Sequence, residues 1–187
     1  MDKSLEKEII KGCRKKKSKA QEMLYKHFYG YAMSICLRYS YSKDEALEIL
    51  NDSFMKVFNN IQKYNENLSF KSWLRRIIIN TSIDYYRKNQ KHRHTLNIEM
   101  ARNEEYRLDI IDDMSVEDIL KLLNELPNQY RIIFNLYEIE GYSHKEIAKM
   151  LEIPESTSRT NLARAKKKLR ILFHQNFDYE IEYERAV

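Results

Sequence analysis

Arg159, Thr160, Ala163, Arg164 and Lys167 recur at the spacing of one helical face, while Leu162, Ala165 and Leu169 fall on the opposite one. Such a face has the chemistry to read duplex nucleic acid. Guanidinium forks match guanine edges and phosphates, the hydroxyl can bond a base or a phosphate, and the alanine methyl can touch a thymine methyl. Lys166, Lys168 and Arg170 add charge toward the C-terminal end, where cations suit phosphates and the helix dipole. A charge run alone reads more simply as a solvated face. The residues before it favour contact: Gly141 is a C-cap glycine, and Ser143-His144-Lys145-Glu146 is a capping box. Pro154 then starts a new helix after a short break. That order is a helix-turn-helix with the basic helix second.

A second chemical face lies upstream. Lys71, Trp73, Arg75, Arg76, Asn80, Tyr85, Tyr86, Arg87 and Lys88 interleave basic and aromatic groups along one helical stretch, Phe70 to Lys88. Stacking rings beside counter-charge suit a single strand. Trp73, spaced with Leu74 and Ile77, reads more readily as core. Asn80 can read a base or cap a turn. Glu48, Asn51 and Asp52 share the polar side of the preceding helix, either as a solvated face or as a docking patch for a protein. No Gly-rich phosphate loop and no nucleophile with a base appears, so no enzyme is expected. His92 and His94 lack partners at metal spacing, and neither a metal nor a cofactor is expected.

These faces need helices to carry them, and the composition supplies little else. The chain has 187 residues, three Gly, two Pro, 33% charged residues and a formal charge of +5. An all-α chain of two small helical domains is expected. Ala20 to Tyr39 is amphipathic, with Leu24, Phe28, Tyr31, Ala32, Ile35, Cys36 and Tyr39 at helical spacing. Ser42 caps a second helix carrying Ala46, Ile49, Leu50, Ser53, Phe54, Val57, Phe58 and Ile61 on one stripe. Tyr64 to Ser69 is a polar loop. The first domain is placed at 1–94, followed by a flexible acidic linker at 95–115. A second domain at 116–175 opens on Val116, Ile119, Leu120, Leu123 and Leu126, breaks at Pro127, and continues with Ile132, Ile133, Leu136 and Tyr137. The tail at 176–187 mixes acids and aromatics. Cys36 is a small core residue, and no disulfide framework is present. With no signal peptide and no apolar run of about 20 residues, a cytoplasmic chain without membrane insertion is expected.

Two blocks together resemble the extracytoplasmic function (ECF) class of bacterial sigma-70 family factors. Asp44-Glu45-Ala46-Leu47-Glu48-Ile49-Leu50-Asn51-Asp52-Ser53-Phe54, Phe70-Lys71-Ser72-Trp73-Leu74 and Ile79-Asn80 look like region 2 of that family. Leu126-Pro127, Gly141-Tyr142-Ser143, Glu146-Ile147-Ala148 and Thr157 to Leu169 look like region 4. The resemblance implies binding to core RNA polymerase through Glu48, Asn51, Asp52 and Phe54. It implies capture of a flipped base of the melted −10 element by the loop that includes Tyr64, Asn65, Asn67 and Ser69. Asn80, Arg87 and Lys88 would hold the non-template strand. Arg159, Thr160, Ala163, Arg164 and Lys167 would read the duplex −35 element, with Arg131 on a phosphate. An anti-sigma factor is a further implied partner. Glu152 stands where the family usually has Gly, which predicts a reshaped turn. Ser156 and Ser158 also depart from the pattern, and Asn51 and Asp52 replace the usual Gln and Glu. Two rivals stay open on residues alone: a stand-alone helix-turn-helix dimer, and a helical RNA-binding protein.

Overall fold

The computed structural model describes residues 3–93 and 116–176, all-helical among these residues, and the chain divides into two compact units. The acidic linker at 95–115, His94 and tail residues 177–187 lie outside the described residues.

The first unit holds α1 (Lys3–Arg14), α2 (Ser18–Tyr39), α3 (Lys43–Asn60), a 3₁₀ turn at Ile61–Lys63, and α4 (Phe70–Arg93). The sequence reading missed α1. Its Ile9, Ile10 and Cys13 are buried, and a Cβ on Gly12 would lie 2.6 Å from that of Ala20, so α1 approaches α2 as only glycine allows. The stripe on α3 is buried as expected at Ala46, Ile49, Leu50, Ser53, Phe54 and Val57. Ser42 caps α3 by accepting from the Glu45 N–H at 3.2 Å, and the Glu45 carboxylate accepts from the Tyr41 N–H at 2.8 Å. The core is aliphatic and aromatic: Phe28 meets Phe70 at 5.0 Å between ring centroids, and Tyr64 meets Phe70 edge-on at 5.3 Å. Burial pushes the Cys36 thiol up to about 12 and the Cys13 thiol up to about 11, as for inert core cysteines.

The second unit holds α5 (Val116–Asn124), α6 (Asn128–Phe134), a π-helical segment at Asn135–Ile139, α7 (His144–Leu151) and α8 (Glu155–Asn176). Leu123, Leu126 and Ala165 form a buried cluster, edged by Tyr130, Phe134 and Leu169. Two expected stripe residues depart from the reading. Ile119 is 41% exposed, whereas Leu122 and Leu123 further along α5 are buried. Tyr137 is also exposed. The Glu140 N–H bonds to the Asn135 carbonyl at 2.9 Å, and this wider turn swings the ring out to stack on His144 at 4.4 Å. Gly141 (φ 79°) ends the segment as a C-cap should.

Candidate nucleic-acid and protein interfaces

The expected face of α8 forms. Arg159, Thr160, Ala163, Arg164 and Lys167 are all exposed, while Ser158, Asn161, Leu162 and Ala165 are buried. The helix in front of it is fixed at both ends. Ser143 and Glu146 complete the capping box: the Glu146 carboxylate accepts from the Ser143 N–H at 2.8 Å, and the Ser143 hydroxyl accepts from the Glu146 N–H at 3.3 Å. The Ser143 hydrogen bonds hold the Glu146 carboxyl below its usual range. At the other end Glu152 takes the left-handed conformation, φ 56° and ψ 44°, and its N–H bonds the Ala148 carbonyl. The turn is therefore not reshaped. It keeps the geometry that suits Gly, and Glu152 bears a backbone cost of about 1 kcal/mol. Ser158, another departure from the family pattern, is buried with its hydroxyl 3.0 Å from His144 Nδ1. That contact ties the start of α8 to α7. Lys166 pairs with Glu138 at 2.6 Å on the surface, a contact as weak as any exposed ion pair. Arg159 pairs with Glu155 on the surface, a weak contact that an incoming phosphate can replace.

In the first unit, Trp73, Arg76, Asn80, Asp84 and Arg87 lie along one side of α4. Asn80 and Lys88 are exposed, and Arg87 is half-buried. The Asp84 carboxylate on this side pairs with Lys56 at 2.9 Å. Trp73, expected in the core, is half-buried and packs on Tyr64 at 5.2 Å and Phe70 at 5.6 Å. The loop before α4 is ordered by its own bonds. The Asn67 N–H bonds Asn65 Oδ1 at 3.0 Å, and the Trp73 N–H bonds the Ser69 carbonyl at 3.1 Å. Asn65, Asn67, Leu68 and Ser69 are exposed, Leu68 to 63%.

On α3, Glu48, Asn51 and Asp52 are exposed together. Tyr25 of α2 donates to Asn51 Oδ1 at 3.1 Å, so that side chain is braced. Met55 completes the same face at i+7 from Glu48 and is 59% exposed, a residue the sequence reading passed over.

Sequence comparison covers both units. A model for sigma-70 region 2 matches residues 24–92, and a model for sigma-70 region 4 matches residues 111–169. The ECF RNA polymerase sigma factor SigW of Bacillus subtilis (strain 168) is 32% identical over 149 residues, covering 73% of this chain and 79% of that protein. The chain belongs to the ECF sigma factor family. RNA polymerase sigma factor SigV of the same organism is 29% identical over 157 residues, covering 77% of this chain and 82% of SigV. The fold matches the sigma factor RpoE of Bartonella quintana, solved in complex with the anti-sigma factor NepR. That match has a TM-score of 0.57 and 18% identity, over 83% of this chain and 98% of RpoE.

Within this ECF factor, three residues carried over by resemblance do not stand where a surface role needs them. Phe54 is 2% exposed, held in the region 2 core against Tyr25 at 4.7 Å, because it lies on the apolar stripe of α3. Tyr64 is 5% exposed; its hydroxyl donates to the Leu68 carbonyl at 2.5 Å, folding the ring beneath the loop instead of toward a base. Arg131 is 0% exposed and donates to Asn124 Oδ1 at 2.5 Å, bridging α6 to α5 inside region 4. Among the described residues no group of His, Cys, Asp or Glu is placed to hold a metal, and no helix is long and apolar enough to cross a membrane.

Proposed function

We propose that this ECF sigma factor binds core RNA polymerase through the exposed face of α3 and directs it to promoters that it recognises with two separate faces. Glu48, Asn51 and Asp52, with Met55 as the apolar member in place of Phe54, form the polymerase-docking face. Region 4 reads the duplex −35 element with Arg159, Thr160, Ala163, Arg164 and Lys167. Region 2 holds the melted −10 strand with Asn80, Arg87 and Lys88, and Asn65, Asn67 and Ser69 form the rim that receives a flipped base. Flipping costs a few kcal/mol, which stacking and backbone charge at this rim must offset. The exposed basic face of α8, presented by a capped helix-turn-helix, is the observation that carries this reading. Promoter opening needs no covalent chemistry from the chain, and no catalytic residue, cofactor or metal is assigned. By analogy with the Bartonella pair, an anti-sigma factor is a proposed regulator.

Co-elution with bacterial core RNA polymerase in moderate salt, followed by transcription from a genomic fragment library, tests the reading. A stoichiometric complex that initiates at a defined class of sites is the expected outcome. A chain that elutes alone as a dimer yet still binds duplex DNA would give the function to the stand-alone regulator.

A further inference from the structure

We propose that the turn between α1 and α2 is an additional phosphate-contact surface of the region 2 unit, continuous with the base-receiving loop, and that it takes the backbone of single-stranded DNA. The inference rests on the reading of that loop and of α4 as the strand-holding face.

Lys15, Lys16, Lys17 and Lys19 are all exposed at this turn. Among the described residues no carboxylate forms an ion pair with Lys15, Lys16 or Lys17. The charge sits at an electrostatically costly place. Lys17 is the N-cap of the 22-residue α2, gives it no side-chain cap bond, and the first turn carries no acid. Cations crowded at the positive end of a helix dipole repel it and one another, and an anion seated there relieves both. Lys16 adopts φ 54°, a conformation glycine would take without strain.

The turn is also fixed to the loop. Arg14, the last residue of α1, donates from Nη2 to the Tyr64 carbonyl at 2.8 Å and from Nε to the Ile61 carbonyl at 3.4 Å. Its Nη1 pairs with Glu66. Gln62 returns a bond to the Arg14 carbonyl at 2.8 Å. Arg14 therefore does two things. It positions the lysine turn against the loop, and it neutralises the loop carboxylate that would otherwise repel a strand. A backbone leaving the loop meets three lysines that no carboxylate holds in an ion pair.

The test uses the full chain and a fluorescein-labelled oligothymidylate, read by anisotropy over a sodium chloride series. Lys15→Gln, Lys16→Gln and Lys17→Gln are combined in one variant, and Lys88→Gln reports separately on α4. The combined variant should melt at or slightly above the wild type, since it removes cations from the positive end of α2, and its plot of log affinity against log salt should be shallower by about 2, at ~0.7 per phosphate on a single strand. An unchanged slope in the combined variant, with a shallower one for Lys88→Gln, overturns the turn proposal and leaves the strand-holding reading of α4 standing. Unchanged slopes in both, or no binding by the wild type at low salt, overturn the two together. A loss on a duplex probe but not on the single strand also overturns it, in favour of a duplex-backbone contact.

Discussion

Behind the face proposed to hold a single strand, region 2 buries Phe28, Phe54, Tyr64 and Phe70, with small hydroxyls at Ser53, Thr81 and Ser82; behind the face proposed to read a duplex, region 4 adds buried Arg131, Asn135, His144, Ser158 and Asn161 to an aliphatic core that includes Leu126, Ile132 and Ile133. The first support is mainly apolar and non-directional: its buried hydroxyls at Ser53, Thr81 and Ser82 bond only carbonyls of their own helices. Its strength follows area removed from water, and it tolerates small shifts of α4 on α3. The second is a polar layer in which each group needs a partner at a set distance and angle. That suits the two tasks. A flexible single strand adjusts to a platform of rings and charge, whereas bidentate contacts to base edges demand that α8 be fixed in rotation and depth. The buried bond between His144 and Ser158 gives α8 that fixity.

The sharpest way to break this contrast is to remove one supporting group from each side. Phe54→Ala should cost region 2 about 3–5 kcal/mol, through lost burial and the cavity left behind. Polymerase binding should fall only in proportion to unfolding, checked by urea titration alongside co-elution. Weakened polymerase binding with unchanged stability would return Phe54 to the docking face. Arg131→Ala should cost region 4 about 3 kcal/mol, since it removes a buried guanidinium and strands the amide of Asn124. Unchanged region 4 stability with weaker duplex binding would restore the phosphate contact.

Those two residues also show where the sequence stops being informative. The helices of the stripes, the caps at Ser42 and Ser143 and the exposed face of α8 were legible, because periodicity and capping are local properties. Arg131 was not: a charged side chain reads as surface, and only the packing of α5 against α6 turns it inward. Tyr64 sits in a polar stretch whose composition says loop, and the bond from its hydroxyl to the Leu68 carbonyl is invisible in the string. For Phe54 the stripe already pointed inward, and a role carried over by resemblance overrode it. Helix α1 was missed because lysines and glutamates dominate Lys3–Arg14, yet Leu5, Ile9, Ile10 and Cys13 keep a helical spacing that was there to be used. The whole arrangement of Arg14 around Ile61, Tyr64 and Glu66 depends on contacts between residues about 50 positions apart in sequence.

On the reading face itself, Arg164→Ala should weaken binding to the −35 duplex by about 1–3 kcal/mol and relax the preference at one base pair. Equal loss on all duplexes would reduce Arg164 to a phosphate contact. Glu152→Gly acts on the support instead. It relieves the left-handed backbone at the turn, and region 4 should gain about 1 kcal/mol in a thermal or urea melt. A loss of stability would mean that contacts of the Glu152 side chain outweigh its backbone strain.

The smallest effect tests whether the polar layer is as directional as the contrast requires. Burial, and then the Arg159 guanidinium, hold the His144 imidazole below its ordinary value of 6.5; Lys166 acts in the same sense, and Glu155 opposes them. The folded state therefore favours the neutral ring, stacked on Tyr137 and bonded to Ser158. An unfolded chain takes up the proton first as the pH falls. His144 thus contributes its full stability above the ordinary imidazole range, and that contribution is lost as the pH drops through 6.5 toward the folded value. The Glu146 carboxyl, also held low, titrates below this window and does not mask it. Melts of region 4 at about pH 7.5 and about pH 5.5 should differ by a few degrees, and His144→Gln should reduce the difference. Region 2, which has no such buried imidazole among the described residues, should change less over the same interval. Equal sensitivity in both units would show that the two faces rest on the same kind of support after all.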